Sequence, residues 1–299
     1  MLRRVLSHGR RWLPVKRAVL SFGLFNPEPA ATAASVRIAC LLSGVLLLGI
    51  ASNVSAADPA GKVAERLAKT RADIKSADPA VRRAAVGSLV HSDLSTTLTA
   101  EIHGALGDKD GEVRAVAATA TGNLGAGSVP AIPALIKQLK SDPVKEARET
   151  AARALGRIGK AAPADKSAIA PLTAAGKEDA DPVTRTVALG ALALMDVQLS
   201  DQVAALRKYL HHEEGLVRMK ASHALGMIGL PAKAAAPEIV KVLEQETDHH
   251  RIGYVARALG NTGDPASLTA LYAALKKETD PGAQGEMRGA ISKLGGKVP

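Results

Sequence analysis

The residues closest to a metal-binding pattern are two pairs of adjacent histidines, each beside carboxylates. They are His211 with His212 and His249 with His250. Imidazole and carboxylate groups in neighbouring turns form binding sites for zinc and similar ions. Consecutive side chains point in different directions, however, and exposed histidines are ordinary in turns. We therefore predict no metal site, and these four histidines are the candidates for one if a metal is bound.

No other pattern in the chain predicts a reaction. The sequence has no phosphate-binding loop, no Gly-x-Ser-x-Gly, no paired metal-ligand motif and no GxGxxG motif after a strand. The one cysteine is Cys40, which excludes thiol and disulfide chemistry for the chain that follows it. We expect a protein that is not an enzyme and that uses no cofactor.

The elements that would position these residues follow from a phrase that occurs seven times. Its clearest copies are Val113–Gly125, Ala147–Gly159 and Val217–Gly229, and weaker copies begin at Val81, Thr184, Arg251 and Ala283. Successive copies begin 32 to 37 residues apart. Self-similarity at this period is typical of stacked helical units, so we predict an all-α fold, an α-solenoid.

Each copy predicts one helix with a marked beginning and end. Counting its first residue as position 0, positions 4 and 7 are mostly alanine and position 8 is mostly leucine, which places them on one helix face. Asp-Pro at 78–79, 181–182 and 280–281 predicts an N-cap and the first helical residue, and Asp142-Pro143 predicts the same for a longer helix. A second amphipathic segment between copies completes each hairpin, which gives about fourteen helices in seven pairs. Six glycines are expected to end helices with a positive φ: Gly107, Gly125, Gly159, Gly229, Gly263 and Gly295.

The phrase Asp-Pro-x-Val-Arg followed by Ala-x-x-Ala-Leu-Gly-x-Ile-Gly resembles the HEAT repeat family, in its short phycobilisome-lyase-like form. The resemblance covers roughly residues 60–297. The family includes scaffolds, adaptors and a few enzymes, so a lyase-like or metal-dependent enzyme is the alternative function. One such enzyme, deoxyhypusine hydroxylase, binds iron through several His-Glu dipeptides, whereas this chain has only His212-Glu213. The chain also has no Cys, Phe or Trp beyond residue 40, which suits a tetrapyrrole lyase poorly.

The resemblance further implies a ladder of ion pairs along the stack. An arginine at position 1 of a copy would pair with the turn acid of the same or the next repeat. The alternative for these arginines is a basic stripe that binds phosphates. Position 1 departs to Ile252 and Gln284 in the last two copies, which predicts a looser C-terminal end. The residues assigned to the ladder are Asp78, Arg82, Asp110, Arg114, Arg148, Asp181, Arg185, Glu214 and Arg218.

The second helix of each pair would line the concave surface of such a solenoid, with the residues opposite its buried face in the groove. Several of these residues are basic and one is a tyrosine, which suits an acidic protein or peptide. A solvated inner face without a partner is the alternative. The residues assigned to partner binding are Arg153, Arg157, Lys220, His223, Tyr254 and Arg257. We expect a monomeric scaffold that binds no nucleic acid, because most of the formal charge lies near the N-terminus.

Residues 1–57 form a predicted leader, and residues 58–299 form the predicted solenoid. The leader carries seven Lys or Arg and one acid before residue 57, and it includes an apolar run at 38–51. Val54 and Ala56 supply the small residues of a secretory cleavage site, so we predict cleavage near Ala56 and a periplasmic or secreted bacterial protein. The alternatives are an uncleaved anchor in the inner membrane, for which the run is shorter than the roughly 20 residues required, and a cytosolic scaffold.

Overall fold

The computed structural model describes residues 59–299, and this range contains fourteen α-helices and no strand. The first seven are α1 (Pro59–Ile74), α2 (Pro79–Ser88), α3 (Thr99–Gly104), α4 (Gly111–Asn123), α5 (Ile132–Ser141), α6 (Lys145–Ala161) and α7 (Ile169–Glu178). The others are α8 (Pro182–Leu194), α9 (Leu199–Tyr209), α10 (Gly215–Ile228), α11 (Ala236–Gln245), α12 (His249–Thr262), α13 (Leu268–Lys277) and α14 (Pro281–Lys293). The seven predicted helix pairs are confirmed. The predicted leader, with its apolar run and cleavage site, lies outside the described residues.

The helices form two rows that run along the stack. Successive even-numbered helices from α2 to α14 pack against each other, whereas contacts between successive odd-numbered helices are sparse. Position 8 supplies leucines to the layer between the rows, and Leu155, Leu225 and Leu259 are fully buried there. Within residues 59–299, none of the helices is long and apolar enough to cross a membrane.

Helix starts follow the predicted Asp-Pro signals in three repeats. Asp78, Asp181 and Asp280 are N-caps whose carboxylates accept backbone N–H groups of the first turn, with proline as the first helical residue. Asp142 is different, because it lies at the end of α5 and the N-cap of α6 is Val144. The expectation that Asp142 caps a lengthened α6 is therefore wrong.

Four of the six glycines expected to end helices have the predicted backbone. Gly125, Gly229, Gly263 and Gly295 all have a positive φ, between 58° and 78°. Gly159 instead lies buried inside α6, where an added Cβ would approach the Met195 side chain to 2.5 Å. The remaining glycine, at 107, also lacks a positive φ. The predicted ending at Gly159 is wrong, because α6 continues to Ala161 and the backbone at Gly159 has no positive φ.

Small residues let the even-numbered helices come unusually close. Gly156 of α6 faces Ala191 of α8, and an added Cβ would lie 2.6 Å from the Ala191 Cβ. Gly226 of α10 faces Ala258 of α12 in the same way, with 2.6 Å to the Ala258 Cα. The position 7 alanines thus lie at the close approach of successive helices, and glycines at position 9 are their partners.

The even-numbered helices form the shorter, concave side of the stack. Lys220 Nζ of α10 donates to Glu149 Oε1 of α6 at 2.7 Å, although α8 lies between these helices in the row. Helices in contact have axes about 8–10 Å apart, so two side chains meet across an intervening helix most readily where the row curves inward. The closer packing of the even-numbered row agrees with this. We call the exposed side of this row the inner face.

Candidate functional site

Three arginines join successive repeats through nearly parallel pairs of hydrogen bonds to aspartates. Arg82 binds Asp108 with 2.7 and 2.8 Å between donor and acceptor atoms, and Arg114 binds Asp142 with 2.6 and 2.7 Å. Arg148 binds Asp179 in the same arrangement, with both distances 2.9 Å. Bidentate guanidinium–carboxylate pairs of this kind are strong and directional.

The acids of this ladder are not those predicted. Asp78, Asp110 and Asp181 are N-caps, so their carboxylates accept amide hydrogens of their own helices. Each ladder acid instead lies two residues before the N-cap residue of the following helix. Its carboxylate also accepts the backbone N–H of that N-cap residue. This turn acceptor is present in all seven repeats as Ser76, Asp108, Asp142, Asp179, His212, Glu246 and Glu278.

Each arginine also holds the loop of its own repeat. Arg114 Nη1 donates to the carbonyl oxygens of Asp108 and Lys109, and Arg185 and Arg218 make the corresponding bonds to their own loops. Burial opposes ionisation of Asp142, but hydrogen bonds from the Arg114 guanidinium and the Val144 amide outweigh it and hold the pKa of Asp142 below its usual value. These arginines are thus held by the protein itself.

The ladder is interrupted in the middle of the stack. At the turn-acceptor position, the second, third and fourth repeats have an aspartate, whereas the fifth repeat has His212. The Nδ1 atom of His212 accepts the Glu214 N–H at 3.1 Å. Arg185 consequently finds no carboxylate among residues 59–299, and its Nε donates to the Tyr209 hydroxyl at 3.1 Å. Arg218 keeps its loop bonds, while its Nε is buried without a partner in the described part of the chain.

The last two repeats keep loop bonds of their own although position 1 is no longer arginine. Arg251 Nη2 donates to Glu246 at 2.9 Å, and Gln284 Nε2 donates to the Glu278 carbonyl oxygen at 2.7 Å. Their helices α12 and α14 also pack closely in the even-numbered row. The expectation of a looser C-terminal end is therefore not supported by these contacts.

Of the four histidines considered as metal ligands, three have separate partners. His211 is exposed, and His212 is engaged in its turn. His249 Nδ1 lies 2.6 Å from Glu278, and His250 stacks edge-on against Tyr254 with 4.9 Å between ring centroids. In residues 59–299, no group of three or more His, Cys, Asp or Glu side chains is arranged to hold a metal ion.

The predicted partner-binding residues come together on the inner face, across α6, α10 and α12. Arg153 and Lys220 both bind Glu149, and Arg157 donates to Asn123 of α4. We call the six residues predicted for partner binding the inner basic patch; they are Arg153, Arg157, Lys220, His223, Tyr254 and Arg257.

Tyr254 is the centre of the second half of this patch. His223 meets its ring edge-on with 5.5 Å between centroids, and the Arg257 guanidinium lies 5.1 Å from the ring centroid. Such a distance is typical of a cation–π contact. Arg257 also binds Glu286 of α14, with 2.7 Å between Nε and Oε2.

The patch carries more positive than negative charge. Its four cationic side chains are matched by two contacting carboxylates, Glu149 and Glu286, which leaves an excess of two positive charges. Burial first, and then the surrounding cations beginning with Arg153, lower the pKa of His223 to about 4, so the imidazole is neutral at pH 7. Arg157 is exposed to solvent on one side and flanked by protein on the other. The protein around it lowers the pKa of its guanidinium, and the positive charge of Arg153 lowers it further.

Family comparison now identifies the architecture. The HEAT repeats model matches residues 67–156, 102–193 and 169–251, and the PBS lyase HEAT-like repeat model matches residues 253–277. The chain belongs to the HEAT repeat family. The predicted family and fold class are thereby confirmed, and no curated protein matches the sequence significantly.

Several solved structures share the HEAT-like arrangement at low similarity. The complex of CpcE and CpcF of phycocyanin lyase from a Nostoc species is 21% identical, with 84% of this chain and 100% of that chain covered and a TM-score of 0.48. YibA of Escherichia coli is 20% identical, with coverages of 78% and 82% and a TM-score of 0.40. A designed armadillo repeat protein is 16% identical, with coverages of 76% and 98% and a TM-score of 0.36. Likeness at this level is evidence for neither an activity nor a partner.

Sequence reasoning missed two acids of this HEAT-repeat surface. Glu149 and Glu286 lie at positions 2 and 3 of their repeats and bind cations from other helices. A signal was present in the sequence, because both acids lie on the same exposed helix faces as the predicted arginines. Their pairing across repeats depends on the curvature of the stack, which the repeat pattern does not specify.

Proposed function

We propose that the inner face of this HEAT-repeat solenoid binds an acidic segment of another protein, and that the protein acts as a non-enzymatic scaffold. The excess of two positive charges in the inner basic patch carries this proposal. The ladder arginines are satisfied largely by their own loops and neighbours, whereas the patch still has positive charge for a ligand.

The placement of the patch strengthens its attraction for carboxylates. A charge on a concave wall is flanked by protein of low polarity, which focuses its field into the groove. Arginine presents a planar fork that fits a carboxylate with two hydrogen bonds. Tyr254 adds an aromatic surface beside these cations, and aromatic and arginine side chains are the residues most often dominant in protein interfaces.

Charge reversal tests this proposal with a matched control in the same chain. Arg257→Glu and Arg153→Glu should abolish capture of the partner from the native source and leave the melting temperature nearly unchanged. Arg207→Glu is the control, because Arg207 binds Glu238 of α11 with two hydrogen bonds on the odd-numbered row and is 42% exposed, against 41% for Arg257. Retention of every partner by both patch variants would show that the inner face is not the binding surface.

We also propose that the protein is exported and that its leader is removed near Ala56. The basic leader, the apolar run at 38–51 and the small residues at 54 and 56 support this. N-terminal sequencing of the native protein should begin at about residue 57. A native chain that begins at Met1 would contradict cleavage and leave a membrane anchor or a cytosolic protein.

A lyase-like or metal-dependent enzyme is the alternative function. The match of residues 253–277 to the PBS lyase HEAT-like repeat supports it at the level of the family. Elemental analysis of the purified protein distinguishes the two. Stoichiometric metal that is lost on His249→Ala and His250→Ala would favour the enzyme.

A further inference from the structure

The inner face has a pocket with an apolar base between the cationic helices. The two neighbours of α8 in the even-numbered row, α6 and α10, present cations on the inner face. The corresponding positions of α8 hold Val187, Gly190 and Leu194. These three residues line a pocket whose other walls include Arg153 of α6 and Lys220, His223 and Met227 of α10. The pocket is therefore apolar at its base and basic at its margins.

Gly190 creates the depth of this pocket. The same position holds Arg153 in the preceding repeat and His223 in the following one, and both side chains project over the inner face. At Gly190 an added Cβ would already lie 3.0 Å from the Ala224 Cβ. Met227 is 44% exposed and Leu194 is half-buried, so apolar surface remains open to solvent at the rim. Exposed apolar surface within a polar rim is a common mark of a binding site.

We infer that this pocket receives one apolar side chain of the bound acidic segment, while neighbouring carboxylates of that segment lie on the basic margins. The inference rests on the proposed function and specifies the ligand: an extended acidic peptide of another protein with a leucine-sized anchor. Charge complementarity favours an acidic segment of another protein as the ligand of this pocket. The chain's own leader is itself basic, with seven Lys or Arg and one acid, and would be repelled by the patch.

An extended segment has the geometry that this surface requires. Side chains two residues apart in an extended chain lie on the same side, about 6.5–7 Å apart. A leucine in the pocket would thus be accompanied on the same side by acids two positions before and after it. The pocket base takes the apolar group, and Arg153 and Lys220 lie at the edge of the pocket for the carboxylates.

Three labelled synthetic peptides separate the contributions in a fluorescence anisotropy experiment at low ionic strength. The first has a central leucine with glutamates two positions away on both sides, the second has serine in place of the leucine, and the third has serines in place of the glutamates. The first should bind the full chain about tenfold more tightly than the second, as expected for partial burial of a leucine side chain. It should also bind more tightly than the third.

Variants of the chain locate the effect. Met227→Ser removes an exposed apolar wall with little risk to folding, and Leu194→Ser removes a half-buried apolar wall. Each should reduce the tenfold preference to about twofold or less without weakening the binding of the serine peptide. Leu230→Ser is the matched control, because Leu230 is 70% exposed in the loop after α10 and does not line the pocket. The preference should be unchanged in this control.

The outcomes distinguish the pocket from the proposed function. Equal affinity of the leucine and serine acidic peptides would overturn the pocket while leaving acidic binding intact, as would a preference that survives both pocket variants. No binding of either acidic peptide, or equal binding of the peptide without glutamates, would overturn the proposed function itself.

Discussion

Replacing Gly226 with alanine should destabilise the solenoid, although alanine is the better helix former. Alanine in a helix interior is favoured over glycine by about 1 kcal/mol. At Gly226, however, the added Cβ would lie 2.6 Å from the Ala258 Cα and 2.9 Å from its Cβ. A backbone atom cannot rotate away, so α10 and α12 must separate, and overpacking of this kind costs roughly 1–3 kcal/mol or more. After the propensity gain is subtracted, we expect a net loss of about 1 kcal/mol, which lowers the melting temperature by roughly 2–4 °C in a domain of this size.

The control for this substitution is another glycine of the even-numbered row. Gly289 lies in α14, and an added Cβ there meets nothing within 4 Å. Gly289→Ala should therefore raise the melting temperature by a few degrees, since only the helix propensity acts. Circular dichroism at 222 nm during heating measures both variants. A Gly226→Ala protein as stable as the Gly289→Ala protein would refute the close approach of α10 and α12.

Three further substitutions test the ion-pair ladder and the inner face. Asp142→Ala leaves a largely buried guanidinium unpaired and should cost about 3 kcal/mol in chemical denaturation, whereas Asp93→Ala, which breaks an exposed pair, should leave the midpoint unchanged. His212→Asp should add about 1 kcal/mol, because the new carboxylate keeps the turn and gives Arg185 the partner that it lacks; a loss of stability would contradict this. The folded-state pKa of His223, about 4, lies below its unfolded value near 6.5, so stability should be full above pH 6.5 and fall as the pH decreases towards 4. His223→Gln should remove this part of the pH dependence of the unfolding free energy.

The repeat architecture was predictable because its signals are local. An aspartate followed by proline fixes a helix start through the N-cap and the first turn, as at Asp78 and Asp280. The alanine and leucine positions fix which side of each helix is buried. Repetition then supplies the topology, since each hairpin must bury its apolar face against the next.

The ladder shows where such local reasoning ends. Asp110 was assigned to the ladder, but it caps its own helix, and Asp108 forms the pair with Arg82. Both acids lie in the same turn, one repeat after Arg82, and the choice between them depends on where the helix begins. Once Asp110 is recognised as the N-cap, counting back two residues finds the ladder acids and also the exception at His212.

The inner face was predictable only in part. The cationic residues were found from their helix positions, whereas the contact between Lys220 and Glu149 depends on the curvature of the even-numbered row. The pocket at Gly190 was missed because a glycine has no side chain to assign to a binding surface. A glycine between two positions with large side chains leaves a depression in the surface, as Gly190 does between Arg153 and His223.

The Lys220–Glu149 contact has a mechanical consequence for the solenoid. A stack of similar hairpins behaves as an elastic coil in which each unit touches only its neighbours. An ion pair that spans one hairpin, as Lys220–Glu149 does, resists unbending of the stack at that hairpin. Both side chains are mostly shielded from solvent, so salt screens their attraction only weakly. A carboxylate that competes with Glu149 for Lys220 would release this tie, so occupancy of the surface and stiffness of the coil would be coupled at α8.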